Sequence, residues 1–315
     1  MSLRSAFRYD VHAYQTTPLT ELDIFQPPAA EGSPTPRKTL VLFHGGGLLT
    51  GGRGMFIPVG LAAAMLAEGW IVVSADYSLL PQVSGASLLR DMAQLEAWLV
   101  AHAAAHGIDT DNIAVAGESA GVLVATLAAA HWRCIRPKAL LDFFGMLDLT
   151  ADWYTVRMAT GPPAFLGTSA DDPQEAEFAH ILASSHVMTS DGYTAAPGGR
   201  ARFLGWAFRE GVLHDFYMGR HPAQRAMGIS AVAQEMEREL LPLRLADRMP
   251  PTWAIHGAAD SLVPVDDSRR FVDALKAAAV EVEFVEVPDG EHGLEGLPSE
   301  QGTDLAVAFL LKWVR

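Results

Sequence analysis

Asn112-Ile-Ala-Val-Ala-Gly-Glu-Ser-Ala-Gly121, followed by helix formers through residue 132, decides how the rest of the chain is read. The apolar residues 113–116 form a short run of the kind that makes a strand buried on both faces. Residues 120–132 have the length and composition of a helix. Ser119 therefore stands on a strand-to-helix turn. Such a turn strains the serine backbone and is tolerated only where the close neighbours are small, a need that Gly117 and Gly121 meet. The hydroxyl is left exposed above the sheet edge. The helix that starts behind it aims free N–H groups at any oxyanion formed there.

The same grammar extends in both directions. Residues 8–14 and 20–25 alternate as strands, with Thr17-Pro18 as turn chemistry between them. The proline-rich stretch 27–37 reads as a loop, and 39–43 is a buried strand. Six glycines between 45 and 54 demand tight turns. A helix at 58–68 leads into a strand at 70–75, a periodic helix at 87–106 ends at Gly107, and a strand follows at 138–144. After residue 150 the buried strands stop. Residues 151–245 read as a helical lid or cap insertion rich in aromatic residues. Strand 251–256, helix 266–279, strand 282–287 and helix 303–314 then resume the pattern. The fold class is α/β: a mostly parallel sheet flanked by helices, with a core from residues 1–150 and 246–315.

A serine hydroxyl needs a base to take its proton and a third group to hold the base. His292 stands in Asp289-Gly-Glu-His-Gly293, a turn after the last strand. Asp260 stands in His256-Gly-Ala-Ala-Asp260, just after the preceding strand. Both belong to the sheet edge that carries Ser119, and the chain order Ser, Asp, His suits this architecture. Asp266, Asp267 and Asp289 are alternative acids. His44-Gly-Gly-Gly47 supplies consecutive amides without side chains in the way, so Gly45, Gly46 and Gly47 together with the Ala120 N–H are the candidate oxyanion donors.

Taken together, these pieces resemble α/β-hydrolases of the hormone-sensitive-lipase type, a carboxylesterase and lipase family. The matching segments are His44-Gly-Gly-Gly47, Ser74-Ala-Asp-Tyr77 with Leu80-Pro81, Gly107-Ile-Asp109, Asn112 to Gly121, His256-Gly-Ala-Ala-Asp260 and Glu291-His-Gly293. The resemblance implies an α/β-hydrolase fold with Ser119 as nucleophile, His292 as base and Asp260 as orienting acid. There are departures. The family's usual Asp-Tyr-Arg-Leu-Ala-Pro-Glu is Asp76-Tyr-Ser-Leu-Leu-Pro-Gln82 here, which implies rewired local hydrogen bonding. The aromatic often found after the glycines is Leu48. The N-terminal segment is short for a helical cap, so the lid falls to 151–245.

Leu48 and Leu49 beside the glycines, Glu118 beside the serine, and Leu262 and Val263 after Asp260 are the expected substrate contacts. Trp206 is another, drawn from the aromatic set Trp153, Phe165, Phe203, Trp206, Phe208, Phe216 and Tyr217. That set could equally form the insertion's own core.

The chain has 315 residues, half of them hydrophobic, and a net charge of -14. That charge argues against nucleic acid or an anionic membrane surface as partner. Seven acids and no Lys or Arg crowd residues 281–300 around His292. A single cysteine, Cys134, excludes an internal disulfide and suits a reducing, cytoplasmic setting. No apolar run approaches the ~20 residues of a membrane span, and no secretory leader is read in the first ten residues. Metal-ligand spacing is absent, so neither a metal nor another cofactor is expected. The expected partner is a small-molecule ester, and a homodimer is left open. The function implied is cleavage of carboxylic esters through an acyl-enzyme. The alternative is an acyltransferase, amidase or product-releasing hydrolase of a biosynthetic pathway.

Overall fold

Alternate residues of the apolar runs go to opposite faces of one sheet. Val41, Phe43, Ile113, Val115 and Leu140 join one buried cluster, and Leu40, Leu42, Ala114, Ala116 and Leu141 join another. Both faces are covered, which is why these strands are continuous apolar runs and not alternating ones. The computed structural model describes residues 2–28, 35–158, 174–193, 196–220, 231–293 and 299–315.

The strands are β1 (Tyr9–Thr16), β2 (Leu19–Phe25), β3 (Arg37–Phe43), β4 (Ile71–Ala75), β5 (Ile108–Glu118), β6 (Ala139–Phe143), β7 (Thr252–Gly257) and β8 (Val282–Val287). They pair in the order β1-β2-β4-β3-β5-β6-β7-β8. β1 and β2 form an antiparallel hairpin, β2 meets β4 antiparallel, and all later pairings are parallel. The parallel strands therefore deliver the loops after β3, β5, β6, β7 and β8 to one carboxyl edge.

The main helices are α1 (Val59–Ala67), α2 (Gly85–His106), α3 (Ala120–His131), α4 (Arg200–Arg209), α5 (Leu213–Tyr217), α6 (Ala231–Leu240), α7 (Asp266–Ala277) and α8 (Ser299–Trp313). Residues of α1 and α8 cover one face of the sheet, whereas α2, α3 and α7 cover the other. The continuously apolar α3 is buried from Ala120 through Ala129, since it is packed between the sheet and its neighbours. Among the described residues, no helix is long and apolar enough to cross a membrane.

Between β6 and β7 the described residues hold helices and no strand. Phe178, Phe203, Trp206 and Phe216 of this stretch belong to the same buried cluster as Val41 and Leu123, so the insertion shares the core of the sheet. Arg200, at the start of α4, fastens it further. Its Nη1 donates to the carbonyls of Leu49 and Leu80, each at 2.8 Å, and its Nη2 donates to Gln82 Oε1 at 2.7 Å. Phe165 falls outside the described residues.

The carboxylate of Asp76 takes the backbone N–H of Arg53 at 2.7 Å and the Arg53 guanidinium, which also reaches Asp23 and Glu21. An arginine from the glycine-rich loop thus pairs with Asp76 in a chain that has Ser78 in place of the family's arginine. Burial still pushes the Asp76 carboxyl up to about 6, against the opposing charge of Arg53.

Candidate active site

Ser119 follows β5 in a left-handed conformation, φ 52° and ψ -122°. This strain is held by close packing on both sides. A Cβ on Gly121 would stand 2.1 Å from the Phe43 carbonyl oxygen, and one on Gly117 would stand 2.2 Å from the Gly121 carbonyl carbon. Only glycine lets the start of α3 back onto the end of β3. The Ser119 N–H donates to Phe143 O at 2.9 Å and its carbonyl accepts from Met146 N at 3.1 Å, which ties the turn to the loop after β6.

Asp260 leaves the loop after β7 with its side chain fully buried. Oδ1 accepts the N–H groups of Leu262 and Val263 at 2.9 and 2.8 Å. Oδ2 takes Nδ1 of His292, delivered by the loop after β8, at 2.7 Å. Burial alone would raise the Asp260 carboxyl, but hydrogen bonds from His256 and His292 hold it well below the usual carboxylate range. Nδ1 carries the hydrogen shared with Asp260, and Nε2 is the opposite ring nitrogen of His292. The ring edge of Phe144 packs on the imidazole, 4.9 Å between centroids. Among the alternative acids, Asp267 is occupied elsewhere, accepting from Leu147 N, Asp148 N and the Tyr154 hydroxyl. Asp266 pairs with Arg269.

The loop after β3 brings three glycines over the serine, and they serve different ends. The Gly45 N–H is spent on Phe56 O at 2.8 Å. The N–H groups of Gly46 and Gly47 have no acceptor among the described residues, and both glycines line the cavity. Ala120 opens α3, where the first N–H groups have no intrahelical acceptor.

Ser119, His292, Gly45, Gly46, Gly47, Glu118 and Leu262 share one cavity of about 180 Å³. Phe56, Phe144, Tyr193, Leu204, Phe208 and Gly293 complete its wall. Among the described residues Glu118 has no hydrogen-bond partner, and burial pushes its carboxyl up to about 8.

Four of the residues expected against substrate lie outside this lining. Leu48 and Leu49 are fully buried, because Gly46 O accepts from Leu49 N and Thr50 N in a turn that rolls both side chains into the core. Val263 is buried behind the Asp260 loop, and Trp206 stacks on Phe203 within the insertion's aromatic core. Leu204 and Phe208 on the same helix α4 do reach the cavity; their spacing of four residues puts them on one face. Phe144 had a readable signal, since it follows β6 at the catalytic edge. Phe56 and Tyr193, in edge contact at 4.8 Å, had none.

The acids around His292 are partly neutralised. Glu283 pairs with Lys312 at 2.9 Å, Glu286 with Arg269 at 2.6 Å, and Glu291 accepts the Ser261 hydroxyl at 2.9 Å. Glu295 lies outside the described residues.

Known proteins resemble this chain in sequence and in fold. Residues 22–184 match the family described as BD-FAE, and residues 217–315 match the prolyl oligopeptidase family. The chain is 28% identical to a probable carboxylesterase M8 of Phoma sp., over 85% of this chain and 82% of that protein. It is 26% identical to the esterase LipC of Mycobacterium tuberculosis, over 95% of this chain and 62% of the relative. A non-reducing polyketide synthase, trt4 of Aspergillus terreus, matches at 26% identity over 91% of this chain but only 13% of its own length. Among solved structures, a Staphylococcus aureus protein of unknown function superposes with a TM-score of 0.70 at 18% identity, covering 97% of this chain and all of that one. The Thermogutta terrifontis esterase 2 phosphoramylated by tabun gives 0.61 at 20% identity, over 96% and 94% of the two chains.

Proposed function

The chain belongs to the BD-FAE family and has the α/β-hydrolase fold of hormone-sensitive-lipase-like esterases, and on that premise we propose that it is a serine hydrolase of small carboxylic esters. The observation that carries this reading is the convergence on one cavity of Ser119, the His292–Asp260 pair at 2.7 Å, and the Gly46 and Gly47 amides, which have no acceptor among the described residues.

In this reading Ser119 Oγ attacks the ester carbonyl while His292 Nε2 takes its proton. Asp260 keeps the ring oriented and stabilises the imidazolium. The tetrahedral oxyanion receives N–H donors from Gly46, Gly47 and Ala120, each worth ~3 kcal/mol of barrier in comparable enzymes. His292 returns the proton to the leaving alcohol. Water, deprotonated by the same base, then attacks the acyl-enzyme and frees Ser119.

Residues 151–245 act as the lid, through Tyr193, Leu204 and Phe208. A cavity of about 180 Å³ is smaller than the range of roughly 300–1,000 Å³ that holds drug-sized ligands, which supports short acyl groups. A panel of p-nitrophenyl esters tests this. The acetate and butyrate are expected to turn over at least about tenfold faster, in kcat/KM, than the dodecanoate. Ser119→Ala is expected to lose at least about 10³-fold in kcat. Equal activity across the panel would contradict the short-acyl assignment, and an active Ser119→Ala would contradict the mechanism.

A second reading is favoured by the likeness to polyketide synthases: the same acyl-enzyme handed to an alcohol or amine in place of water. It predicts a burst of p-nitrophenol followed by slow turnover, with the steady state accelerated by added alcohol or amine.

A further inference from the structure

Behind Asp260 lies a second histidine that the mechanism above does not use. His256 is fully buried at the end of β7. Its Nε2 stands 2.9 Å from Val263 O and 3.2 Å from Asp260 Oδ2, the same oxygen that holds His292. Its Nδ1 stands 2.8 Å from the Ser268 hydroxyl, at the start of α7. That hydroxyl stands 3.2 Å from Asp142 Oδ2 on β6. Ser268 and Asp142 are fully buried as well. Three elements of the fold therefore converge to build a hydrogen-bonded line from Asp142 to the back of the catalytic acid.

Donor and acceptor chemistry limits where the protons can be. Val263 O is a carbonyl and can only accept, so Nε2 carries hydrogen and presents the same N–H to Asp260. The rest of the line has two arrangements with the same number of protons. In one, Nδ1–H donates to Ser268 Oγ and the Ser268 hydroxyl donates to an ionised Asp142. The ring is then an imidazolium. In the other, Asp142 Oδ2–H donates to Ser268 Oγ and the Ser268 hydroxyl donates to Nδ1, so ring and acid are both neutral. Passing from one to the other moves one proton across each of the two hydrogen bonds and breaks no other bond.

We infer that His256 is a positioning residue for the catalytic acid, holding Asp260 Oδ2 through Nε2–H, and that with Ser268 and Asp142 it forms a proton relay setting the charge behind the triad. The inference rests on the assignment of Asp260 and His292 made above. Burial would push the His256 ring down, but its hydrogen bond to Asp260 and the charges of Asp142 and Asp260 hold it above its ordinary value. Burial raises Asp142 to about 6, against the opposing pull of His256, the Gly145 N–H and Ser268. Both ends of the line are thus held above their ordinary values, and each can carry the proton. Asp267 of α7 adds negative charge beside Asp142. Glu286 of β8 also faces His256, but it is paired with Arg269 of α7.

A positive His256 makes it harder for His292 to take a proton. Removing that positive form should therefore move the base limb of the pH profile upward. The test compares kcat/KM against pH for p-nitrophenyl acetate in the full chain carrying His256→Gln, Ser268→Ala or His256→Leu. His256→Leu should lower kcat about 10- to 100-fold with little change in KM, because Asp260 loses its second clamp. His256→Gln keeps an N–H near the Nε2 position and should recover most of that loss. Both His256→Gln and Ser268→Ala should shift the base limb up by about half a pH unit or more. A base limb unmoved in His256→Gln and Ser268→Ala, or a His256→Leu variant with wild-type kcat, overturns the relay. If His256→Leu does not fold, the other two variants carry the test. Ser119→Ala separates the two accounts: if it is inactive while the limbs coincide, the relay alone has failed. If it is active, the proposed function has failed.

Discussion

At the scale of single residues, two carboxyl groups near Ser119 sit in opposite electrostatic conditions. Asp260 accepts from two backbone amides and two imidazoles, so its charge is well solvated by protein donors. Glu118 has none among the described residues, and burial pushes it up to about 8. The folded protein therefore keeps on Glu118 a proton that the unfolded chain releases near the ordinary glutamate value of about 4.3. Between those two values the unfolded state binds fewer protons, and the Glu118 contribution to stability falls as pH rises, levelling off above about 8. Glu118→Gln does not titrate. Its Tm relative to wild type is expected to climb from pH 5 to pH 9, and parallel Tm–pH curves for the two proteins would refute the account of this residue.

At the scale of elements, the link between the insertion and the sheet depends on a few polar groups. Gln82, at the position of the family's glutamate, uses both ends of its amide. Oε1 accepts from Arg200, and Nε2 donates to Ile181 O at 2.6 Å. A carboxylate could do only the first, so this departure joins two parts of the insertion to the loop after β4. Arg200→Met would leave the carbonyls of Leu49 and Leu80 and the amide oxygen of Gln82 without their donor. A loss of about 3 kcal/mol in urea unfolding is expected. KM for p-nitrophenyl butyrate should rise more than kcat falls, because α4 carries Leu204 and Phe208 to the cavity. Unchanged stability and KM would show that Arg200 does not anchor the insertion.

Across the whole molecule, legibility followed the physics of burial. Strands covered on both faces are largely apolar, so 39–43, 113–116 and 251–256 could be recognised from the sequence. The placement of Ser119, Asp260 and His292 at one edge was readable because parallel strands deliver their carboxyl ends there. The pocket wall was less accessible. The direction of a loop side chain depends on turns closed by distant contacts, as with Leu48 at φ 62°, which points into the core. Tyr193 reaches the cavity from more than seventy residues beyond Ser119 in the chain, with no local pattern to mark it. The polar line behind Asp260 was half visible. His256 stood in the quoted segment, but its partners Ser268 and Asp142 come from other elements.

The central claim is that Ser119 is the activated nucleophile of this fold. Fluorophosphonate labelling followed by peptide mass mapping tests it most directly. The account predicts a single modification on the peptide containing Ser119, absent in Ser119→Ala and strongly slowed in His292→Ala. Modification of a different residue, or undiminished labelling of Ser119→Ala, would contradict it.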